Sequence, residues 1–309
     1  MTFRSGFVAI VGRPNAGKST LVNQLVGQKV AIVSSRPQTT RNRIQGIVNR
    51  DDAQVVLIDT PGLHQARNVL SRQLMDEAQH ALEGVDALSL IVDASAQFAG
   101  GDEFSLDWVK RFKGPTFLLL NKVDRVKKPL LLGMIEKYAA LRNFAEIYPI
   151  SALTGENCEE MLKSCVQYLP ESPPYFPADQ FTDQPERFLA AELIREQAIL
   201  ATRDEVPHAI AVLVDTFAEK SSLMKICATI YVEREGQKGI LIGKRGETMK
   251  KIGTQARQGI ETMLGTKVFL ELFVKVQLDW RQNPAIVRQL DWHRQLEEMA
   301  EAQDGESGL

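Results

Sequence analysis

Cysteine is scarce in this chain: three residues, Cys158, Cys165 and Cys227, among 309. They make no C-x-x-C pair and no cysteine–histidine spacing that suits zinc, which argues against both a disulfide scaffold and a zinc module. Buried or half-buried thiols in a reducing, cytoplasmic compartment are the expectation. Long apolar runs are missing too; none reaches the roughly 18 residues needed to span a bilayer. Residues Met1–Phe7 lack a basic stretch followed by an apolar one, so no signal peptide is expected. Net charge is nearly absent, at −2 from 37 basic and 39 acidic residues. A contact with nucleic acid would therefore need its positive charge concentrated locally.

What is present is ordinary globular material, 44% hydrophobic and 25% charged. The length suggests two domains. From residue 7 to about 168, short apolar runs alternate with helical stretches. Strands are expected at Phe7–Gly12, Gln45–Asn49, Gln54–Asp59, Ala87–Asp93, Thr116–Asn121 and Ile147–Ile150. Helices are expected near 17–27, 71–83, 102–112, 130–142 and 156–168. That alternation implies βαβ units and a mostly parallel sheet covered on both faces. Five of the 13 prolines then fall between Pro170 and Pro185. Proline fixes φ and removes a donor, so 169–185 reads as an interdomain linker. Beyond it the order is α-β-β-α-α-β: a helix over Glu186–Arg203, strands His208–Phe217 and Lys225–Arg234, helices Lys238–Ile242 and Gly246–Leu264, and a strand Lys267–Gln277. The tail, 281–309, carries six acids and three arginines. Its start is read as helical and its last several residues as disordered.

Gly12-Arg13-Pro14-Asn15-Ala16-Gly17-Lys18-Ser19 matches G-x-x-x-x-G-K-[ST] between an expected strand and an expected helix, with Thr20 following. Glycines let successive N–H groups turn toward phosphate, and the helix N-terminus adds positive dipole character. Lys18 should reach the β- and γ-phosphates and Ser19 should ligate Mg²⁺. Asp59-Thr60-Pro61-Gly62 ends the next strand but one, with Asp59 placed to hold the metal and the Gly62 N–H to approach the γ-phosphate. Asn121-Lys122-Val123-Asp124 ends a later strand. Asp124 can accept from guanine N1–H and the exocyclic amine, whereas adenine offers no donors there. Asn121 can link base and phosphate loop, and the Lys122 stem can lie across the base with its head in water. Backbone N–H groups at Ser151-Ala152 can meet guanine O6.

These motifs, with Gln38-Thr39-Thr40-Arg41, Leu63-His64 after Gly62, and Val232-Glu233-Arg234-Glu235-Gly236-Gln237-Lys238 running into Gly243-Lys244-Arg245-Gly246, resemble the Era family of bacterial GTPases. The resemblance covers about residues 5–280. It implies an α/β Ras-like P-loop GTPase domain with a mostly parallel sheet (1–168), followed by an α+β type II KH domain (186–280). It also implies GTP hydrolysis, binding to small-subunit ribosomal RNA, a role in small-subunit assembly, a monomer, and peripheral association with the inner membrane. Carried over, the switch I threonine that completes the Mg²⁺ shell is Thr40, with Thr39 as the alternative. The place where many Ras-like enzymes carry a water-orienting glutamine is Leu63, which cannot do so. His64 reads as a solvated loop histidine. Asn15 resembles the family's other device, an asparagine that helps hold K⁺. The catalytic set is then Asn15, Lys18, Thr40 and Gly62.

A lone G-x-x-G is weak evidence, but Gly243-Lys244-Arg245-Gly246 joins two expected helices in the α-β-β-α-α-β order. A KH domain clamps nucleotide backbone with such a loop. Six Lys/Arg stand against one acid, Glu247, from Gln237 to Arg257, which is the local basic face. Lys238 and Lys250 join the loop as candidate RNA contacts, and Ile240, Leu241 and Ile242 are expected to form the groove for bases. Two rivals remain. An RNA-modifying enzyme would need a nucleophile, flavin or methyl-donor motif, and none is seen. A membrane or signalling GTPase would use the second domain to bind protein.

Overall fold

The computed structural model describes residues 2–289 except Ser35, Pro37, Gln38, Asn42, Arg67 and Ser221. Most of the acidic tail, and Gln38 of the Gln38–Arg41 motif, therefore lie outside the described residues. Two compact units result: one from the residues up to Gln65 with Leu74–Gln184, the other from Ala66–Gln73 and the residues from Pro185 on. No helix among the described residues is long and apolar enough to cross a membrane.

The first unit is a six-stranded sheet of β1 (Arg4–Val11), β2 (Ile44–Asn49), β3 (Ala53–Asp59), β4 (Ala87–Asp93), β5 (Thr116–Asn121) and β6 (Glu146–Ile150), in the order β2-β3-β1-β4-β5-β6. Only β2 runs antiparallel. Strands such as β5, buried at all six positions, read as continuous apolar runs because helices cover both faces. On one face lie α1 (Lys18–Val26) and α5 (Cys158–Gln167), through Leu21, Val22, Met161 and Leu162. On the other lie α2 (Val69–His80), α3 (Gly100–Val109) and α4 (Lys128–Leu141), through Ala78, Leu106, Trp108 and Tyr138. The parallel register sets Ile10 beside Asp59, Asp93 beside Asn121, and Asn121 beside Ile150. The phosphate loop, the D-x-x-G segment, Asn121–Asp124 and Ser151-Ala152 thus sit at one edge of the sheet, outside the carboxyl ends of the strands.

The proline-rich stretch does not hang free. Residues 170–184 lie along the first unit, with Ser5 N–H donating to Pro170 O and Ile47 N–H to Phe181 O. Gln54 on β3, 1% exposed, is the main tie: its amide donates to Asn49 Oδ1 and Phe176 O and accepts from the N–H groups of Tyr175 and Phe176. Proline stops regular structure, but it does not stop a chain from packing. The change of unit comes at Pro185.

The second unit is built from α6 (Glu186–Leu200), a short α7 (Val206–Ala209), β7 (Ala211–Lys220), β8 (Leu223–Val232), α8 (Glu235–Ile242), α9 (Glu247–Leu264) and β9 (Lys267–Val276). The strand expected from His208 begins with the α7 turn instead, where Pro207 sits at its start. The sheet order is β7-β8-β9, antiparallel then parallel. Apolar side chains on one sheet face pack with Ile194, Leu241, Ile252 and Ile260 of the helices. Packing continues past residue 280: Trp280 is 1% exposed and donates to Ala209 O, Arg281 pairs with Glu233, and Val287 of α10 (Pro284–Gln289) is buried.

Replacing Gln54 with Leu takes the partner from three half-buried backbone groups, the Tyr175 and Phe176 N–H groups and the Phe176 carbonyl. Stability of the first unit should fall by about 2–4 kcal/mol, while the transition of the second unit stays in place. Urea unfolding followed by probes in each unit checks this.

Candidate functional site

The phosphate-loop motif turns at Asn15, a non-glycine residue with φ 64°, and opens α1 at Lys18. The Lys18 ammonium is buried and donates to the carbonyls of Gly12 (3.2 Å) and Arg13 (3.0 Å). Ser19 Oγ donates to Asp59 Oδ2 at 2.6 Å and lies 2.8 Å from Thr40 Oγ1, which is 3.4 Å from the same carboxylate. Thr40, not Thr39, thus joins Ser19 and Asp59; the Thr39 hydroxyl instead donates to Arg36 O and meets Ser34.

Burial pushes the Asp59 carboxyl up to about 6, against the opposing pull of Lys18 and hydrogen bonds from Ser19, Thr40 and the Thr60 backbone. Burial likewise brings Lys18 down to about 8, with Asp59 opposing. Asp59 Oδ1 is buried and, among the described residues, has no hydrogen-bond partner. A buried carboxylate oxygen beside two hydroxyls is an all-oxygen donor set of the kind that suits a hard divalent cation, so the residues fit Mg²⁺.

A cleft of about 370 Å³ opens over these groups. Pro14, Asn15, Gly17, Lys18, Ser19, Thr20, Thr40, Gly62, Asn121, Lys122, Asp124 and Ala152 line it. Gly62 packs against Pro14, and the Leu63 N–H donates to Gly12 O, so the D-x-x-G segment touches the phosphate loop directly. The remaining candidates support the cleft from behind. The Thr60 hydroxyl donates to Ile10 O, Pro61 is buried, the Leu63 side chain belongs to the core, and Val123 packs on that core. His64 meets the Gly62 carbonyl through Nδ1.

At the base end, Asn121 donates to Ala16 O at 2.7 Å and accepts from Ala152 N–H at 2.9 Å. Ser151 contributes through its hydroxyl, which donates to Asp124 Oδ1 at 2.6 Å and orients that carboxylate. The Lys122 head is not left to water as expected: it donates to Asn15 O at 2.8 Å and to Asp93 Oδ2 at 2.5 Å. Burial alone would raise the Asp93 carboxyl, but hydrogen bonds from Lys122 and Ser95 hold it below its ordinary value.

Arg13 uses its side chain to tie the phosphate loop to α3. Its guanidinium turns to Asp102 of α3 at 2.8 Å, a residue 5% exposed that also accepts from Ala99 N–H. Asp93 and Asp102 were not legible as site residues, because neither lies in a motif. Arg36, the first residue of the 36–43 switch segment, also lines the cleft, as do Arg125 and Leu153, which had no sequence signal beyond being near a motif.

In the second unit, α8 ends at Gly243 (φ 73°), a 3-10 turn covers Lys244–Gly246, and α9 follows. A Cβ at Gly243 would lie 2.2 Å from Thr248 Oγ1, so no other residue fits there without a shift. Arg245 adopts φ 54°, and both Lys244 and Arg245 are exposed. Lys250 is exposed and Lys238 half-buried. Of the three apolar residues expected to form the groove, Ile240 and Ile242 are exposed, but Leu241 is fully buried in the core and cannot take that role. The loop, its two cations and two flanking apolar side chains therefore share an exposed helix–helix corner.

A family model described as 50S ribosome-binding GTPase matches residues 7–122, and one described as KH domain matches residues 205–281. Two solved structures resemble the whole chain, each at 40% sequence identity and a TM-score of 0.89, covering 93% of this chain and 98% of the other. One is Era in complex with MgGDPNP and nucleotides 1506–1542 of 16S ribosomal RNA. The other is a variant of Aquifex aeolicus Era bound to GDP and AlF₄⁻. A phosphate loop, a D-x-x-G segment and a guanine-reading N-K-x-D sequence at one sheet edge, followed by a KH unit and matched at this identity over nearly the full length, show that the chain belongs to the Era family of GTPases.

Proposed function

We propose that the protein is a GTP-hydrolysing switch that binds small-subunit ribosomal RNA through its KH unit and acts in small-subunit assembly and rRNA maturation. The observation that carries this reading is the similarity of both units, in one chain, to an Era solved with a GTP analogue, Mg²⁺ and a 16S rRNA fragment. The setting that goes with it is cytoplasmic, with the protein a monomer and any membrane contact peripheral.

In this reading Lys18 leaves the carbonyls of Gly12 and Arg13 to pair with the β- and γ-phosphates. Ser19, Thr40 and Asp59 hold Mg²⁺, which neutralises charge developing on the transferring phosphoryl group. Thr40 does so only with GTP bound, which makes residues 36–43 the switch. Gly62 presents its N–H to the γ-phosphate beside Pro14. Asp124, oriented by Ser151, reads guanine, and the Ala152 region approaches O6. Leu63, buried in the core, has no group to orient water. Asn15 would help hold a K⁺ ion, which when bound would supply positive charge near the phosphates. On the RNA, Gly243, Lys244, Arg245 and Gly246 clamp the backbone, with Lys238, Ile242 and Lys250 flanking.

Asp124→Asn should lower affinity for GTP relative to XTP by on the order of 10⁴-fold, because the amide presents a donor where guanine also presents one and xanthine presents an acceptor. Competition binding reads the ratio; a variant that still prefers GTP removes Asp124 from base recognition.

Exchanging K⁺ for Na⁺ should slow GTP hydrolysis by about 10- to 100-fold and leave GDP affinity nearly unchanged. Equal turnover in the two salts would sink the role given to Asn15.

Changing Lys244 and Arg245 together to Asp should abolish tight RNA binding by the full chain while GTP binding stays intact. Any residual binding should depend less steeply on salt, the slope falling by about 0.7 for each phosphate that is no longer neutralised. RNA affinity across a salt series, with circular dichroism to confirm folding, makes the comparison. Unchanged affinity and salt slope in a folded variant would remove RNA clamping from this loop.

A further inference from the structure

The sheet of the second unit has two faces of different chemistry. Along β9 the residues alternate. Val268, Leu270, Leu272, Val274 and Val276 face the helices and join the core, while Lys267, Phe269, Glu271, Phe273 and Lys275 point the other way. Core packing explains the first set and not the second. Phe269 is 50% exposed and Phe273 53% exposed. Two large aromatic residues on an edge strand thus leave about half their surface in water.

The surroundings of these rings narrow the choice of partner. The strand register sets Lys225 of β8 opposite Phe269, and its ammonium lies 6.0 Å from that ring centre. Tyr231 stands opposite Lys275. Glu271, the acid between the two phenylalanines, is engaged by Lys225 at 3.4 Å and by Cys227 Sγ at 3.2 Å. Lys267 and Lys275, both exposed, stand at either end of the row. The rings are four residues apart on one strand face, roughly 13 Å at about 3.3 Å per residue.

We propose that this face is a second binding surface for single-stranded RNA, with bases stacking on Phe269 and Phe273 and the backbone held by Lys225, Lys267 and Lys275. Aromatic platforms interleaved with cations are the arrangement that binds single strands without a sequence code, because every base has a flat face and every nucleotide a phosphate. A protein-docking face would also use aromatics, but its centre is depleted in charged residues, whereas Lys225 and Glu271 stand beside and between these two rings. The face belongs to the same unit as the G-x-x-G loop, and the proposal rests on the reading of that unit as an RNA binder. It extends the chemistry from backbone clamping to base stacking on a separate surface.

The test uses the full chain and a mixed-sequence single-stranded RNA of about a dozen nucleotides, within the site sizes of single-strand binders. The parent and the Lys244→Asp, Arg245→Asp variant are each compared with and without Phe269→Leu plus Phe273→Leu, which keeps apolar bulk and removes the flat rings. In the background with the loop disabled, residual binding should remain, and the leucine pair should weaken it by about 10- to 100-fold. Ultraviolet crosslinking of the disabled-loop protein should attach RNA to peptides spanning residues 267–275. Lys267→Gln with Lys275→Gln should flatten the salt dependence by about 0.7 for each lysine that neutralises a phosphate, which gives a second reading should the leucine variant fail to fold. If the leucine pair binds RNA as tightly as its parent, and crosslinks stay within residues 238–250, the face is not an RNA surface and a protein becomes its partner. If the parent itself binds no RNA, the RNA reading of the whole unit fails along with this one; if only the disabled-loop protein loses all binding, the loop stands and the sheet face alone is refuted.

Discussion

The nucleotide site depends on one buried side chain, Asn121. Its amide donates to Ala16 O and its carbonyl accepts from Ala152 N–H, so the phosphate loop, the end of β5 and the loop after β6 are joined through a single residue that is 2% exposed. Each unmade bond at such a depth costs about 1–3 kcal/mol. The same side chain restricts Gly17, whose φ is 105° and where a Cβ would lie 2.1 Å from Asn121 Nδ2. Asn121 can do this only because the parallel register of β5 with β4 and β6 brings its strand end level with its neighbours. A shift of one position would turn it to the other face of the sheet.

Around this tie the charges are arranged in pairs that anticipate ligands. Lys18 and Asp59 are both buried, and burial shifts each toward its neutral form. Phosphate oxygens and a divalent cation are the groups that would restore both charges. Lys122 and Asp93 form a second pair that braces the Asn15 carbonyl, and Arg13 with Asp102 forms a third that ties the phosphate loop to α3. The second unit works differently. Its cations, Lys244 and Arg245, stand in solvent on a strained turn, as suits a partner that carries its own extended charge. The first site is a cleft with buried charges; the second is an exposed corner.

The proline-rich stretch and the second unit's helices show where sequence patterns mislead. Five prolines stop secondary structure, yet Gln54 pins the stretch to β3 through three hydrogen bonds, and the second unit begins at Pro185. Three consecutive apolar residues, Ile240, Leu241 and Ile242, suggest a groove. On a helix they point in three directions about 100° apart, and only Leu241 meets the core.

By itself the sequence determined the order of the main strands and helices, though not the short α7, and with it the phosphate loop, the D-x-x-G and N-K-x-D segments, and the G-x-x-G turn. Each of these is local chemistry: glycine at a bend, a carboxylate or amide at a strand end, a lysine at a helix start. Tertiary structure alone decided that Thr40 rather than Thr39 meets Ser19 and Asp59, that Arg13 turns to Asp102, and that Lys122 is held by Asp93. Thr40 and Asp59 lie 19 residues apart, Arg13 and Asp102 89, and Lys122 and Asp93 29. Such pairs form only when sheet register and helix packing have set their distance, and no spacing along the chain encodes that.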